Sequence, residues 1–385
     1  MKTVGILLVI MLCALAVPAG SAQAAEAPGV SAQSAVLISG DDGTVLFEKD
    51  ARQQLAMAST TKIMTALLTL EEAERSGDLA LTVTEEMVRV EGSSMGLRAG
   101  DQLTLSNLTA GMLLASGNDA ANAAALFLDG SQEAFAQRMN ARAAEIGMEG
   151  THFVTPSGLD DEEHYSTAYD MALLAREALD CPAFAEIAAS AVRQVEFLEP
   201  ARKVSYSNHN KLLRLYEGCI GVKTGFTKKA GRCLVSAARR DGTTLIAVTL
   251  NAPDDWDDHM ALFDYGFSQV QTADLTGGPL PERLPVVGGT AEAVSLRPGE
   301  GLTITLPKDQ AQSVTREVLL PPFLYAPVEA DQPVGRVLYR TGGETLFALH
   351  IYAGEAVSPP PPEPGFWEGL WGRITGWFAG ELPEA

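Results

Sequence analysis

A serine and a lysine three residues apart are the first residues in the chain whose types and spacing suit covalent catalysis. Ser59 and Lys62 stand at the start of a helix that apolar residues at helical spacing predict over 59–75. Residues at positions i and i+3 share one face of a helix, so the hydroxyl and the amine are neighbours. A hydroxyl beside an amine that takes its proton is a nucleophile with its base. A lone Ser-x-x-Lys also arises as a helix cap with a solvated lysine, so the rest of the chain must decide.

Two further short motifs carry side chains of the same kind. Ser116-Gly117-Asn118 lies between two predicted helices, and Lys223-Thr224-Gly225 lies in a predicted strand. Alone, the first is compatible with an ordinary interhelical turn and the second with an ordinary edge strand. The three motifs together, at a helix start, in an interhelical loop and in a strand, form a specific set for serine acyl transfer.

The elements that must position these motifs are predicted from periodicity and turn residues. The predicted helices cover residues 59–75, 106–114 with Ser106 as the N-cap, 119–128, 133–146, 167–179 and 259–269. The predicted strands cover residues 35–39, 44–48, 219–226, 234–238 and 244–250. Strands at both ends of this region with helices between them predict a sheet packed against a helical region.

The chain resembles the low-molecular-mass penicillin-binding proteins, the serine D-alanyl-D-alanine carboxypeptidases of peptidase family S11, over nearly its whole length. The three motifs carry the resemblance, together with the segments 152–159 and 223–231 and the C-terminal β region. It implies an α/β (α+β) fold of the penicillin-binding-protein/β-lactamase-like transpeptidase type, an antiparallel sheet with a helical region, followed by a small all-β domain. It also implies removal of the terminal D-alanine from peptidoglycan stem peptides through an acyl-enzyme on Ser59, and covalent inhibition by β-lactam antibiotics.

The resemblance assigns catalytic roles that agree with the chemistry of the side chains. Ser59 is the nucleophile, and Lys62 is its base provided that the amine is neutral. Partial burial and the nearby cation of Lys223 both lower the pKa of such an amine. Ser116 relays a proton between Lys62 and the leaving amine, and Asn118 binds the substrate backbone and steadies Lys62.

The resemblance assigns substrate binding to the third motif and the residues after it. These residues are Lys223, Thr224, Gly225, Phe226 and, as a further candidate for binding the carboxylate, Thr227. Lys223 and Thr224 offer a cation and a hydroxyl to a C-terminal carboxylate, while Gly225 lets the substrate backbone lie close to the strand. By analogy with the family, the backbone N–H groups of Ser59 and Phe226 form the oxyanion hole.

One departure from the family pattern concerns the carboxylate. Some relatives hold it with an arginine after the last strand of the sheet, whereas residues 251–255 of this chain contain no arginine. Either Lys223, Thr224 and Thr227 carry that role alone, or Arg232 reaches into the site.

Other functions on the same fold stay open. Cleavage of crosslinks by a DD-endopeptidase uses the same residues, and a catalytically silent peptidoglycan-binding module needs neither Ser59 nor Lys62. A class A β-lactamase adds a glutamate that activates water, but no Glu-x-x-Leu-Asn segment stands between Asn118 and Lys223.

Composition and residue counts exclude several classes. The net charge of −21 argues against binding of nucleic acid. The five histidines show no metal-binding spacing, so neither a metal nor another cofactor is expected. No Gly-x-Ser-x-Gly elbow surrounds Ser59, which argues against a Ser-His-Asp triad. Cys181, Cys219 and Cys233 are expected to be buried thiols, with one pairing among them left open.

The chain divides into five predicted segments. They are a signal peptide at 1–24, a catalytic domain at 25–273, a small β-rich domain at 274–357, a proline-rich linker at 358–365 and an amphipathic segment at 366–385. Aromatic and apolar residues form a helical stripe over 366–378. That stripe is too short to span a bilayer but suits its interface, so it predicts attachment to the outer face of the cytoplasmic membrane. A helix docked on the protein's own surface is the competing explanation.

Overall fold

The computed structural model describes residues 26 to 361 of the 385-residue chain. The predicted signal peptide and the predicted amphipathic segment therefore lie outside the described residues. The proline-rich linker is described only as far as Pro361.

Helices are concentrated between residues 62 and 189, and strands lie on either side of them. A short 3₁₀ helix, Ala58–Thr61, precedes the first α-helix. The helices are α1 (Lys62–Ser76), α2 (Leu105–Leu114), α3 (Asn118–Asp129), α4 (Gln132–Ile146), α5 (Ala168–Asp180), α6 (Pro182–Ala189), α7 (Leu212–Leu215), α8 (Asp255–Gln269) and α9 (Lys308–Gln312). The strands are β1 (Ser34–Ser39), β2 (Val45–Lys49), β3 (Ala80–Thr82), β4 (Gln102–Thr104), β5 (Val192–Phe197), β6 (Arg202–Ser207), β7 (Cys219–Thr227), β8 (Gly231–Arg240), β9 (Thr243–Leu250), β10 (Val270–Leu275), β11 (Arg283–Val287), β12 (Ala293–Pro298), β13 (Leu302–Pro307), β14 (Thr315–Leu319), β15 (Leu324–Tyr325), β16 (Pro333–Thr341) and β17 (Glu344–Ala353).

A five-stranded antiparallel sheet, in the order β2-β1-β9-β8-β7, forms the centre of the first part of the molecule. Its middle strand β9 is buried along its whole length, because helices cover both faces of the sheet. Side chains alternate between those faces. Val36 and Val248 join the core on the side of α1, whereas Leu37 and Leu245 pack with Phe263 of α8 on the other side. The last strand, β7, is an edge strand.

Helix α1 lies in the middle of the helical region. Its residues from Lys62 to Leu70 are all buried, and it packs against α2, α3 and α5. A helix that is enclosed in this way removes from water every polar group that it carries, at a cost in free energy unless the group is hydrogen-bonded. Lys62, the first residue of α1, is such a group.

The predicted elements of the first domain are present, with bounds that differ by a few residues from the prediction. The predicted N-cap of α2 is wrong. Thr104 caps this helix by accepting a hydrogen bond from the backbone N–H of Asn107. Ser106 lies inside the helix instead, and its own N–H donates to the carboxylate of Asp78.

Helix α6 and the hairpin of β5 and β6 were not expected from the sequence. In both strands most side chains are exposed or half-buried, so the apolar alternation that marks a strand is weak. One short helix, α9, occupies five residues of the C-terminal region, whose other described residues form strands and loops.

The C-terminal region has its own six-stranded sheet, in the order β14-β16-β17-β12-β11-β15, and its own apolar core. Strand β10 leads into this region and pairs with β13. The predicted boundary between residues 273 and 274 falls within β10, and the exact division into domains stays a prediction. Hydroxyls link the two parts, since Thr305 donates to Asp41 and lies 3.0 Å from the hydroxyl of Thr243.

The three cysteines of the described chain are free thiols. Cys233 is buried as expected, while Cys181 and Cys219 are half-buried. Burial raises the pKa of the Cys233 and Cys219 thiols to about 11, so both are protonated at neutral pH. These thiols therefore serve packing rather than reactivity.

Candidate active site

The start of α1 brings the first motif to the surface of the sheet. Ser59 lies in the 3₁₀ helix and is half-buried, and Lys62 follows one turn later at the first position of α1. The residue before the serine, Ala58, has φ of +49°, a conformation that non-glycine residues rarely adopt. Strain of this kind persists where the surrounding structure fixes the backbone, as it does at many functional sites.

The amine of Lys62 is fully buried and has three neighbours at hydrogen-bond distance. Its Nζ lies 2.6 Å from Asn118 Oδ1, 2.7 Å from the carbonyl oxygen of Ser157 and 2.8 Å from Ser59 Oγ. The Asn118 amide is oriented by its Nδ2, which donates to the carbonyl of Glu91. The first two neighbours are therefore pure acceptors. A neutral amine that donates to both directs its lone pair at Ser59 Oγ, as a general base must.

The surroundings of Lys62 favour that neutral form. Burial lowers the pKa of Lys62 well below its ordinary value, and the positive charge of Lys223 lowers it further. Asp119 acts in the opposite direction. The Asp119 carboxylate already accepts hydrogen bonds from the Ser94 hydroxyl and from backbone N–H groups of the 95–97 loop and Ala120, so its charge is spread over five donors.

The second and third motifs meet through a lysine and a serine. Lys223 Nζ donates to Ser116 Oγ over 3.1 Å and to the carbonyl of Thr224 over 2.7 Å. Ser116 has φ of +56°, so the interhelical turn holds its hydroxyl in a strained position that faces β7. Because Lys223 is only 1% exposed, burial lowers its pKa to about 7. Its charge at neutral pH is therefore incomplete.

The loop over residues 151–167 is hydrogen-bonded to the first turns of the segment that carries Ser59 and Lys62. Thr65 donates to the carbonyl of Pro156, one residue before the carbonyl that binds Lys62. The Nδ1 atom of buried His164 accepts from the N–H of Val154, so its Nε2 carries the proton and donates to Thr61. Thr61 in turn donates to the carbonyl of Ala58. Burial lowers the pKa of His164 to about 4, which keeps this link in one tautomer at neutral pH.

Strand β7 approaches the serine closely enough to form one wall of a cavity. A Cβ atom on Gly225 would lie 3.0 Å from the backbone nitrogens of Ser59 and Thr60, so only glycine fits without displacement. The cavity has a volume of about 280 Å³. It is lined by Ser59, Ser93, Ser116, His209, Thr224, Gly225, Phe226, Arg232, Asp255 and Trp256.

Of the residues assigned from the sequence, Ser59, Ser116, Thr224, Gly225 and Phe226 line the cavity. Lys62, Asn118 and Lys223 are buried behind the lining and reach it through the hydrogen bonds of Lys62 to Ser59 and Asn118 and of Lys223 to Ser116.

Thr227, the last residue of β7, does not line the cavity. Its hydroxyl donates instead to the carboxylate of Asp160. Sequence reasoning missed the carbonyl of Ser157, because a backbone acceptor has no residue-type signal. It also missed His209 and Trp256, which stand outside the three motifs.

Comparison with known proteins identifies relatives of both parts of the chain. Residues 21–254 match the family model described as D-alanyl-D-alanine carboxypeptidase. Residues 277–359 match the model described as penicillin-binding protein 5, C-terminal domain. The D-alanyl-D-alanine carboxypeptidase DacF of Bacillus subtilis is 33% identical over 335 residues, which cover 84% of this chain and 85% of the relative. The carboxypeptidase DacC of Escherichia coli is 32% identical over 91% of this chain and 89% of its own length.

A solved structure agrees with this relationship. Penicillin-binding protein 5 of Haemophilus influenzae superposes with a TM-score of 0.64 at 28% sequence identity, covering 87% of this chain and 99% of that protein. The predicted fold class, a transpeptidase-like α/β domain followed by a small β domain, is thereby confirmed.

Two substitutions test whether Lys62 is the base. Arginine cannot lose its proton in a protein, and methionine has a similar length but no amine, so neither accepts the serine proton. We expect Lys62→Arg and Lys62→Met each to slow acylation by benzylpenicillin by at least ~10³-fold. In the wild type, the acylation rate should fall as pH is lowered through the pKa of Lys62, because the protonated amine has no lone pair.

The measurement is stopped-flow or quenched-flow acylation across pH, with the melting temperature of each variant as the control for folding. Acylation of either folded variant at the wild-type rate would exclude Lys62 as the base.

Proposed function

The chain belongs to the D-alanyl-D-alanine carboxypeptidase family, and on that premise we propose the residues that perform the reaction. The protein is a serine-type carboxypeptidase, a hydrolase that removes the terminal D-alanine from peptidoglycan stem peptides. One observation carries the assignment of its residues: a buried amine whose two other neighbours are pure acceptors lies 2.8 Å from Ser59 Oγ.

In the proposed acylation step, Ser59 Oγ attacks the carbonyl carbon of the penultimate D-alanine while Lys62 Nζ takes the hydroxyl proton. The tetrahedral oxyanion is held by the backbone N–H groups of Ser59 and Phe226. The C–N bond then breaks, and the leaving amine of the terminal D-alanine takes the hydroxyl proton of Ser116, which is replaced by the proton that Lys62 accepted, so that Lys62 returns to its neutral form. Since Ser116 Oγ accepts its hydrogen bond from Lys223, its own proton is free to be passed on.

In the proposed deacylation step, water replaces the departed D-alanine and attacks the ester of Ser59. Lys62, neutral again, takes a proton from this water, and the serine recovers its proton as the ester C–O bond breaks. The products are the shortened peptide and the free enzyme. Asn118 holds the substrate backbone and Lys62 during both steps, and the hydroxyl of Thr224, which lines the cavity, is available to the C-terminal carboxylate in the first.

Covalent labelling tests the nucleophile. We expect benzylpenicillin to add its mass once to the mature protein and the adduct to map to the peptide that contains Ser59. Ser59→Ala should abolish the adduct, whereas Ser93→Ala, in the same cavity, should retain it. Intact-protein and peptide mass spectrometry give the result. An adduct that persists in the Ser59→Ala variant, or that maps to another residue, would contradict the assignment.

We further propose that the enzyme is exported and held on the outer face of the cytoplasmic membrane. Residues 1–24 have the basic start, apolar stretch and small-residue cleavage pattern typical of a signal peptide, and three of the four tryptophans lie within 366–378. Within residues 26–361, no helix has the length and apolar character needed to cross a bilayer. In this proposal, residues 25–273 form the catalytic domain and residues 274–357 form a β domain between it and the membrane segment.

Truncation after Pro361 tests the attachment. This end point keeps the backbone carbonyl of Ser358, which accepts from Thr290, so the described fold is left intact. We expect the truncated protein to lose binding to liposomes of zwitterionic lipid, with an unchanged melting temperature and unchanged activity on a small D-Ala-D-Ala peptide. A melting temperature lowered by several degrees, together with a full-length mature protein that ignores liposomes, would show that the segment belongs to the fold instead.

A further inference from the structure

An arginine and an aspartate form part of the wall of the active-site cavity. Arg232 stands on β8 directly across from Phe226 of β7, and its side chain is 41% exposed. Its Nε and Nη2 lie 3.0 and 2.6 Å from Oδ1 of Asp255, whose side chain is 4% exposed. The guanidinium also lies 5.5 Å from the ring centroid of Trp256. These contacts fix the guanidinium at the cavity wall.

The guanidinium keeps donors that these contacts do not use. Asp255 takes Nε and Nη2, whereas Nη1 donates to no residue between 26 and 361. A guanidinium presents its five N–H groups in a planar fork, which matches the geometry of a second carboxylate. An arginine held on one edge by an acid is therefore preorganised to bind an anion on the other edge.

The other cationic groups near the cavity are poorer partners for an anion. Lys223 is 1% exposed and donates to Ser116 and Thr224, and burial lowers its pKa to about 7. Partial desolvation and the charge of Lys223 lower the pKa of His209 below its ordinary value, which disfavours its cationic form. Among the described residues that line the cavity, Arg232 is therefore the one that carries a permanent positive charge.

We propose that Arg232, oriented by Asp255, binds the C-terminal carboxylate of the peptide substrate together with the hydroxyl of Thr224, and thereby makes the enzyme specific for free peptide acids. Thr224 lines the same cavity, while the hydroxyl of Thr227 is engaged by Asp160. This role rests on the proposed function, because it presumes that Ser59 attacks the carbonyl of the penultimate residue, one peptide bond before the residue that carries this carboxylate.

The ratio of kcat/KM for a D-Ala-D-Ala peptide to that for its C-terminal amide isolates the contact with the carboxylate. We expect Arg232→Gln to lower this ratio by about 10–100-fold, the loss typical of a charge-assisted hydrogen bond. Arg232→Lys keeps the charge but not the fork, and should give an intermediate ratio. The matched control is Arg239→Gln, the same substitution on the same strand at a residue that bonds Thr244 outside the cavity. Its ratio should equal that of the wild type.

If the Arg232–Asp255 pair has only a structural role, Arg232→Gln should lower kcat/KM for both substrates by the same factor and leave their ratio unchanged. That result would overturn the proposal. If Arg232→Gln does not fold, the ratio of Arg232→Lys decides in the same way. Mass spectrometry after treatment with benzylpenicillin distinguishes failure of the proposed function from failure of this inference. If the wild type forms no adduct on Ser59, the proposed function is wrong. If the adduct forms but the ratios are unchanged in the Arg232 variants, only the role of Arg232 is wrong.

Discussion

Lys62 is an amine in the interior of the protein that forms no ion pair with any described carboxylate. Burying a charged ammonium without a partner is costly, so the group titrates to its neutral form instead. Three parts of the chain converge on it: the 3₁₀ helix through Ser59, the start of α3 through Asn118, and the loop that carries Ser157. Reactivity of Ser59 depends on this neutral amine, because a serine hydroxyl is a weak nucleophile without a base.

The backbone around the site is strained in the places where this geometry requires it. Ala58 and Ser116 both have positive φ, and each lies within one residue of a motif or inside it. Gly158 also has positive φ, and a Cβ atom there would lie 1.9 Å from the carbonyl of Ala58. The bonds from His164 through Thr61 to that same carbonyl hold the strained turn in place. The contacts of the surrounding fold therefore offset the strain of this backbone and keep Ser59 and Lys62 at hydrogen-bond distance.

The sequence was sufficient to predict most of the elements that carry the three motifs. Helical spacing places Ser59 and Lys62 side by side, but only the occurrence of all three motifs together makes these residues candidates for catalysis. The contacts that support Lys62 could not be predicted from the sequence, because a backbone carbonyl such as that of Ser157 carries no residue-type signal.

The position of Arg232 at the cavity could not be predicted either. It depends on the register that pairs Arg232 of β8 with Phe226 of β7, and no local sequence pattern specifies that register. Ser106 was misassigned as a cap because Thr104, two residues earlier, is also of a residue type that caps helices.

The most direct test of the account is the protonation state of Lys62 itself. Lysine labelled with ¹³C at Cε reports the charge of each amine by NMR, and the Lys62→Met spectrum assigns the Lys62 signal by its absence. The account predicts that this signal titrates well below the ordinary lysine pKa of about 10.5, so that the amine is largely neutral at the pH where acylation is fast. A Lys62 signal that stays that of an ammonium up to pH 10 in the active enzyme would contradict it.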